Sequence, residues 1–599
     1  MRRITLAALA GFSCALWAQA PATISPDAYL AHIKYLASPD LKGRATGSPE
    51  LEKAAGYIAS QFQSFGVKPV PGSGYEQAFT TTVGAHLGAT NRFEANTGTL
   101  RLRDGFIPFS FSSSGTVSAP VVFVGYGITA NEYHYDDYAG VDVKDKIVLL
   151  VRHEPQENDE KSVFAGKDLT QHSTFAIKAV NAKMHGARAV ILVNDGYPHH
   201  TAQEDQLTPF GQATGPTDAG VLFVQVKEST AEAWLKAEGR DLHEILDGID
   251  KDLKPRSFPF TRLTVNVSLD IQHDVKTVHN VAAYIPGKTS EYVIIGAHYD
   301  HLGLGDEHSL APSQIGTIHP GADDNASGTA GVIELARWFS KQPQQQRGIL
   351  FMTFAGEELG LLGSNYYTGH PLLPLENAVT MLNMDMIGRI KNGKVFVNGT
   401  GTGSTLDKLV ESIQAPTGFK LDLSEATGYG GSDHMSFTVK QVPVLFFFSG
   451  LHGDYHKPSD TWDKIDAPDA AKLLGYVAQI ATRLVNDPER PKFQRVVEKT
   501  APISSGSSSG GYGPNFGSIP DFDEPPHGVR FADVRDGTPA AKAGLKAGDI
   551  LIEFDGKDIG NLYDFTYALQ AHKPGDEVLV KVLRGSQRIE AKVLLTERR

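Results

Sequence analysis

Four apolar runs in this chain each end in a histidine or a carboxylate, and a fifth segment carries acids in a glycine-bounded loop. Tyr292-Val-Ile-Ile-Gly-Ala runs into His298-Tyr-Asp300, and Gly348-Ile-Leu-Phe-Met-Thr-Phe-Ala-Gly into Glu357-Glu358. Ala378-Val-Thr-Met-Leu-Asn-Met ends in Asp385, and Pro443-Val-Leu-Phe-Phe-Phe-Ser leads to Asp454-Tyr-His456. The loop Gly321-Ala-Asp-Asp-Asn-Ala-Ser-Gly328 supplies Asp324 and opens a helix with a stripe of Val332, Leu335, Ala336 and Phe339. Oxygen donors plus two imidazoles, without sulfur, suit catalytic zinc, and cobalt or manganese also fit. One tetrahedral catalytic ion takes three protein ligands and keeps a position open. Five ligands therefore fit two ions that share one carboxylate.

Each residue alone has a plainer reading. Asp323-Asp324-Asn325 could cap a helix, and a Glu-Glu pair is commonly a solvated face. Their common position at strand ends carries the metal reading. From about Val278 to 490, apolar strands alternate with helical segments, which predicts a mostly parallel, doubly wound α/β sheet with helices on both faces. Parallel strands bring their C-terminal ends to one crevice, where such folds bind ligands. Other catalytic patterns fail. We find no His-Glu-x-x-His, and the Gly-x-Ser-x-Gly match at Gly506 to Gly510 lies in a serine tract rather than a strand–helix turn. Gly287-Lys-Thr289 lacks the upstream glycine of a phosphate loop, and the loop 321–328 lacks the alternating oxygen ligands of a calcium hand.

The 599 residues exceed one compact core and predict several domains. Residues 1–22 read as an export signal: Met1-Arg2-Arg3, an apolar stretch from Ile4 to Trp17, then small residues. A periplasmic or extracellular location follows, with no membrane span after cleavage. The one cysteine, Cys14, lies inside that signal, so the mature chain has no disulfide, thiol nucleophile or sulfur ligand. The formal net charge of −13 argues against a nucleic-acid partner. Composition and pattern divide the rest into 23–112 with 262–490 (catalytic), 113–261 (β-rich insert), 491–514 (Ser/Gly-rich linker) and 515–599 (a small β domain).

Five motifs closely resemble the co-catalytic zinc aminopeptidases, a family that includes glutamate carboxypeptidase and the inactive transferrin receptor. They are Gly296-Ala-His-Tyr-Asp300, the loop 321–328, Ala355-Gly-Glu-Glu-Leu-Gly-Leu-Leu-Gly-Ser364, Asn383-Met-Asp-Met386, and Tyr455-His456 with Ser459-Asp-Thr461. The resemblance implies two zinc ions, His298 and Asp385 on one and Glu358 and His456 on the other, with Asp324 bridging beside a cis peptide to Asn325. It makes Glu357 the general base for a metal-bridging hydroxide, Asp300 the carboxylate that orients His298, and Tyr455 a hydrogen-bond donor to the oxyanion. Ser432-Asp433-His434 is assigned to the site lining. His301, His308, His319 and His452 are assigned to loops or the substrate rim. Residues 115–255 resemble a protease-associated domain, here a lid or substrate-selecting wall. Residues 515–599 resemble a PDZ domain, in which Phe516-Gly-Ser-Ile-Pro-Asp-Phe would receive a peptide or protein C-terminus.

The expected substrates are peptides with a free N-terminus. A carboxypeptidase or dipeptidase on the same scaffold is the nearest alternative, with Arg389 as the candidate carboxylate anchor. A one-zinc glutaminyl cyclase and a non-enzymatic peptide-binding receptor are the others.

Overall fold

The strands that carry the candidate ligands are apolar at every position because both of their faces are covered. Along Tyr292–His298 (β3), Val293, Ile295 and Ala297 enter one core, and Tyr292 and Ile294 enter another on the opposite face. Burial on both faces is the hallmark of parallel strands between helix layers. The computed structural model describes residues 23–596, except 131–132, 160, 165, 167–169, 195–204, 212–216, 306–307, 497–513, 522–524 and 536. The expected export signal and almost all of the Ser/Gly-rich tract lie outside the described residues.

The first sheet contains eight strands: β1 (Glu76–Leu87), β2 (Ile271–Ile285), β3, β4 (Gly348–Phe354), β5 (Ala378–Met384), β6 (Lys394–Asn398), β7 (Lys420–Asp422) and β8 (Val444–Phe448). Their order is β1-β2-β4-β3-β5-β8-β6-β7. The central four, β4-β3-β5-β8, are mutually parallel, while β2 and β6 pair with them antiparallel. Helices α1 (Pro26–Leu36), α2 (Pro49–Ser64), α3 (Gly328–Phe339) and α6 (Ala467–Asn486) cover one face. Tyr367 from α4 (Leu362–Gly369) and Phe437 from α5 (His434–Val439) pack on the other. Ser48 and Asp466 cap α2 and α6 with their side chains, and both helices have proline in the first turn.

A second eight-stranded sheet forms the insert. It reaches beyond the 113–261 expected from the sequence, taking in Arg92–Ala95, Gly98–Leu100, Phe106–Pro108 and all of Phe258–Leu269. The short flanking strands are defined by cross-strand pairing, such as Phe93 opposite Val267, and local composition does not reveal such partners. The C-terminal sheet, from Ser518–Pro520 to Gln587–Leu594, surrounds its own apolar core. This domain is not held by its linker alone. Lys183 of the insert pairs with the buried Asp564 at 2.6 Å, and Arg495 pairs with Asp533 at 2.8 Å.

The loop before α3 is pressed against the end of β5. A Cβ on Gly328 would stand 2.2 Å from the backbone oxygen of Met384, next to Asp385. Gly328 has helical φ/ψ, so alanine there should gain about 1 kcal/mol of helix propensity. Overpacking against backbone costs about 1–3 kcal/mol, and here the steric cost dominates. Gly328→Ala is predicted to lower stability in chemical denaturation by about 1–2 kcal/mol; a stabilised variant would show that this contact is loose.

Candidate metal centre

The strand ends bring the predicted ligands to one place. His298 closes β3, Asp385 follows β5 directly, Glu357 and Glu358 stand three and four residues beyond β4, and His456 lies in the loop after β8. Asp324 sits before α3 with a cis peptide to Asn325. Ligand atoms of His298, Asp324 and Asp385 all lie within 4.8 Å of one another. His298 Nε2 is 3.4 Å from Asp324 Oδ1 and 3.4 Å from Asp385 Oδ1. On the other side, His456 Nε2 is 3.2 Å from Asp324 Oδ2 and 3.1 Å from Glu358 Oε2. The two oxygens of Asp324 thus face two different imidazoles, as a bridging carboxylate must.

The fit to a metal can be tested on these spacings. An ion bound tetrahedrally at about 2.0–2.1 Å separates its ligand atoms by about 3.3–3.4 Å. The observed separations agree. His298 Nε2, His456 Nε2 and Asp385 Oδ1 are buried with no hydrogen-bond partner, an unusual state for buried polar atoms. For Asp385 and His456 the neighbouring atom is tied down. Ser432 Oγ donates to Asp385 Oδ2 at 2.9 Å, and His456 Nδ1 donates to the His308 carbonyl at 2.9 Å, which leaves Nε2 as the lone-pair nitrogen. The donor set suits zinc.

Glu357 is placed differently. Its Oε2 stands 3.9 Å from His298 Nε2, and its side chain is 11% exposed. Burial, with the Glu358 and Asp385 carboxylates and against the pull of His298, holds it well above the usual carboxylate range. Asp324 is pushed the other way: against the effect of burial, His298 and His456 hold it well below that range. Asp385 is raised as well, by burial. Asp300 is buried but its Oδ1 is 3.7 Å from His298 Nδ1, beyond hydrogen-bond range. It accepts instead from Thr46 Oγ1 at 2.7 Å and from the Glu357 amide at 3.2 Å. The Tyr455 ring stacks on His456 at 3.8 Å between centroids.

Several contacts differ from the sequence expectation. His301 is not on the rim: it is 2% exposed, and its Nδ1 lies 2.7 Å from Glu358 Oε1. His452 reaches Asp323 at 3.2 Å, and the buried His319 bonds Ser309. Asp460 accepts from the amides of Asp323 and Asp324 at 2.9 and 3.1 Å, and so fixes the ligand loop. Its place in Ser459-Asp-Thr461 was the available signal, but the spacing gave no role. Arg389 donates to Asp454 at 2.6 Å.

Comparison with known proteins agrees with the three modules. Residues 280–481 match peptidase family M28, residues 117–234 the PA domain and residues 497–595 the PDZ domain. A probable leucine aminopeptidase of Arthroderma otae is 34% identical over 205 residues, covering 33% of this chain and 54% of that protein. Aminopeptidase YwaD of Bacillus subtilis is 26% identical over 379 residues, 61% of this chain and 69% of that protein. The chain spans about half the length of the curated fungal relatives it matches. A solved aminopeptidase from Aneurinibacillus sp. strain AM-1 aligns with a TM-score of 0.48 and 23% identity, over 80% of this chain and 97% of that one.

A cation bound only by the native state stabilises it by about 2.7 kcal/mol at a hundredfold excess over Kd. Stripping with a chelator should therefore lower the melting temperature by roughly 5 °C or more. Zinc should restore it and magnesium should not, because magnesium discriminates against imidazole. Melting that ignores chelator and zinc alike would rule against the centre.

Proposed function

We propose that this chain, whose residues 280–481 form a peptidase family M28 domain, is a zinc aminopeptidase that removes N-terminal residues from peptides. The observation that carries the reading is Asp324, with one oxygen toward His298 and the other toward His456. In this reading His298 and Asp385 would hold one zinc ion and Glu358 and His456 the other, with Asp324 shared between them. When bound, the pair would polarise the scissile carbonyl and bring the pKa of coordinated water down to about 7.

The remaining chemistry belongs to side chains. Glu357 bonds none of the five ligands, so its carboxylate is available to take a proton and return it to the leaving amine. Burial raises it above the usual carboxylate range, the direction that favours holding a proton. Burial, with the surrounding carboxylates Asp324 and Glu358, pushes Tyr455 upward and keeps its hydroxyl protonated, as an oxyanion donor requires. Asp300 braces Glu357 through the Glu357 amide. The acidic surroundings, Glu357 and Asp385 above all, favour a substrate ammonium. A carboxypeptidase needs a free cation for the substrate carboxylate, and Arg389 is already paired with Asp454.

The insert supplies a wall over the catalytic domain in this reading. The PDZ domain offers Ser518–Pro520, which lies at the end of its sheet and can accept an extended peptide. The pattern of residues 1–22 supports export; among the described residues no helix is long and apolar enough to cross a membrane.

Glu357→Gln should lower kcat by about 10²–10⁴ while zinc content and melting stay at wild-type values. Wild-type enzyme should cleave carboxyl-amidated peptides and refuse amino-acetylated ones. The opposite selectivity would identify a carboxypeptidase. Undiminished hydrolysis by the glutamine variant would remove Glu357 from the mechanism.

A further inference from the structure

The segment Lys42-Gly-Arg-Ala-Thr46 lies far from the ligands in sequence, yet it passes directly beneath them. Arg44 is fully buried, and its guanidinium donates to four backbone carbonyls. Nε reaches Tyr299 at 2.8 Å, Nη1 reaches Leu36 at the end of α1 and Pro320 at 2.8 Å, and Nη2 reaches Gly321 at 3.0 Å. Tyr299 directly follows the ligand His298, and Gly321 precedes Asp324 by three residues. One planar cation therefore spans the two chain segments whose spacing sets the His298–Asp324 distance. A guanidinium has five N–H groups in a fixed fork, which lysine cannot reproduce.

The strap's backbone is joined to the same region. The amide of His301 donates to the Arg44 carbonyl at 3.1 Å, and that of Gly303 to the Gly43 carbonyl at 3.0 Å. Gly43 has φ +74°, and a Cβ there would stand 2.3 Å from the His319 oxygen and 2.4 Å from the Gly303 oxygen. Only glycine permits this approach. Three residues on, Thr46 Oγ1 donates to Asp300 Oδ2, and Asp300 Oδ1 receives the Glu357 amide. The positive charge of Arg44 is also close enough to Asp300, Asp324, Asp460 and Glu358 to interact with each.

We infer that Gly43–Thr46 is a positioning strap for the metal centre: Arg44 sets the spacing of the His298 and Asp324 segments, and Thr46 holds Asp300 under Glu357. Neither residue touches the reacting atoms. Both act through others. This inference rests on the zinc-peptidase reading, and its test separates the two.

Zinc-free wild type, Thr46→Val and Thr46→Ser are titrated with Co(II), followed by the visible d–d bands, and assayed on an aminoacyl anilide. Valine keeps the shape of threonine and removes the hydroxyl; serine retains it. Loss of a partner behind a ligand shell costs about 10–100-fold in metal affinity or activity. Thr46→Val should lose that much in kcat with KM little changed and show altered d–d bands, and Thr46→Ser should recover both. Arg44→Lys should weaken Co(II) binding by about tenfold or more. If Arg44→Lys does not fold, the threonine pair carries the test alone. Thr46→Val with wild-type kcat and Co(II) bands, whatever its melting temperature, overturns the strap. Wild type that takes up no Co(II) overturns the metal reading itself.

Discussion

The structure is organised around an excess of buried negative charge at one sheet edge. Asp300, Asp323, Asp324, Asp385, Asp433 and Asp460 are each 9% exposed or less, and the Glu357 and Glu358 side chains are 11% and 6% exposed. Burying an ionised carboxylate costs on the order of several kcal/mol even after relaxation. Among the described residues, Arg44 is the fully buried cation whose charge reaches four of these groups. One guanidinium and a few imidazoles do not balance eight carboxylates, so the rest of the charge must be relieved by protonation, as the raised Asp433 and Asp460 allow, or by cations bound at the same edge.

Such a cluster also needs a frame that resists its own repulsion. The central parallel strands supply it, because their alternate residues are locked into cores on both faces. Close backbone contact carries the rigidity to the strand ends. Asn325 donates to the Met384 carbonyl at 3.0 Å and accepts from the Gly328 amide at 2.8 Å, which couples the Asp324 loop to the strand that delivers Asp385. Asp460 and Arg44 grip the same loop from the amide side and the carbonyl side. The C-terminal domain reaches this frame as well. Asp533 accepts from Tyr429 at 3.2 Å, on the loop that carries Ser432.

Four of the five proposed ligand positions were legible in the sequence because each follows an apolar run, and Asp324 because it stands in a glycine-bounded loop that opens a helix; period and termination are local properties. The α/β layering followed from the same runs. What was not legible depends on partners distant in the chain. His301 stands three residues after His298 and reads like any loop histidine until its contact with Glu358 is seen. Arg44 bonds carbonyl groups, which every residue possesses, so no side-chain pattern announces it. The outer strands of the insert are short and defined by pairing, and the C-terminal domain docks through residues distant in the chain, such as Lys183 with Asp564, Tyr567 with Asn181 and Met184 against its apolar core.

The hydrogen bonds also sort the acids by task. A ligand that bonds through one atom is best held by the other, and the proposed ligands Asp385 and Glu358 are so held, through Ser432 and His301. His456 follows the same rule through the His308 carbonyl. Asp324 departs from it because both of its oxygens face imidazole nitrogens, and its position is set through the backbone amides that Asp460 receives. Glu357 departs from it in another way: the hydrogen bond that places it is made by its amide to Asp300, not by its carboxylate. A general base needs a carboxylate fixed at its root, and the bond from the Glu357 amide to Asp300 supplies that for the role proposed here.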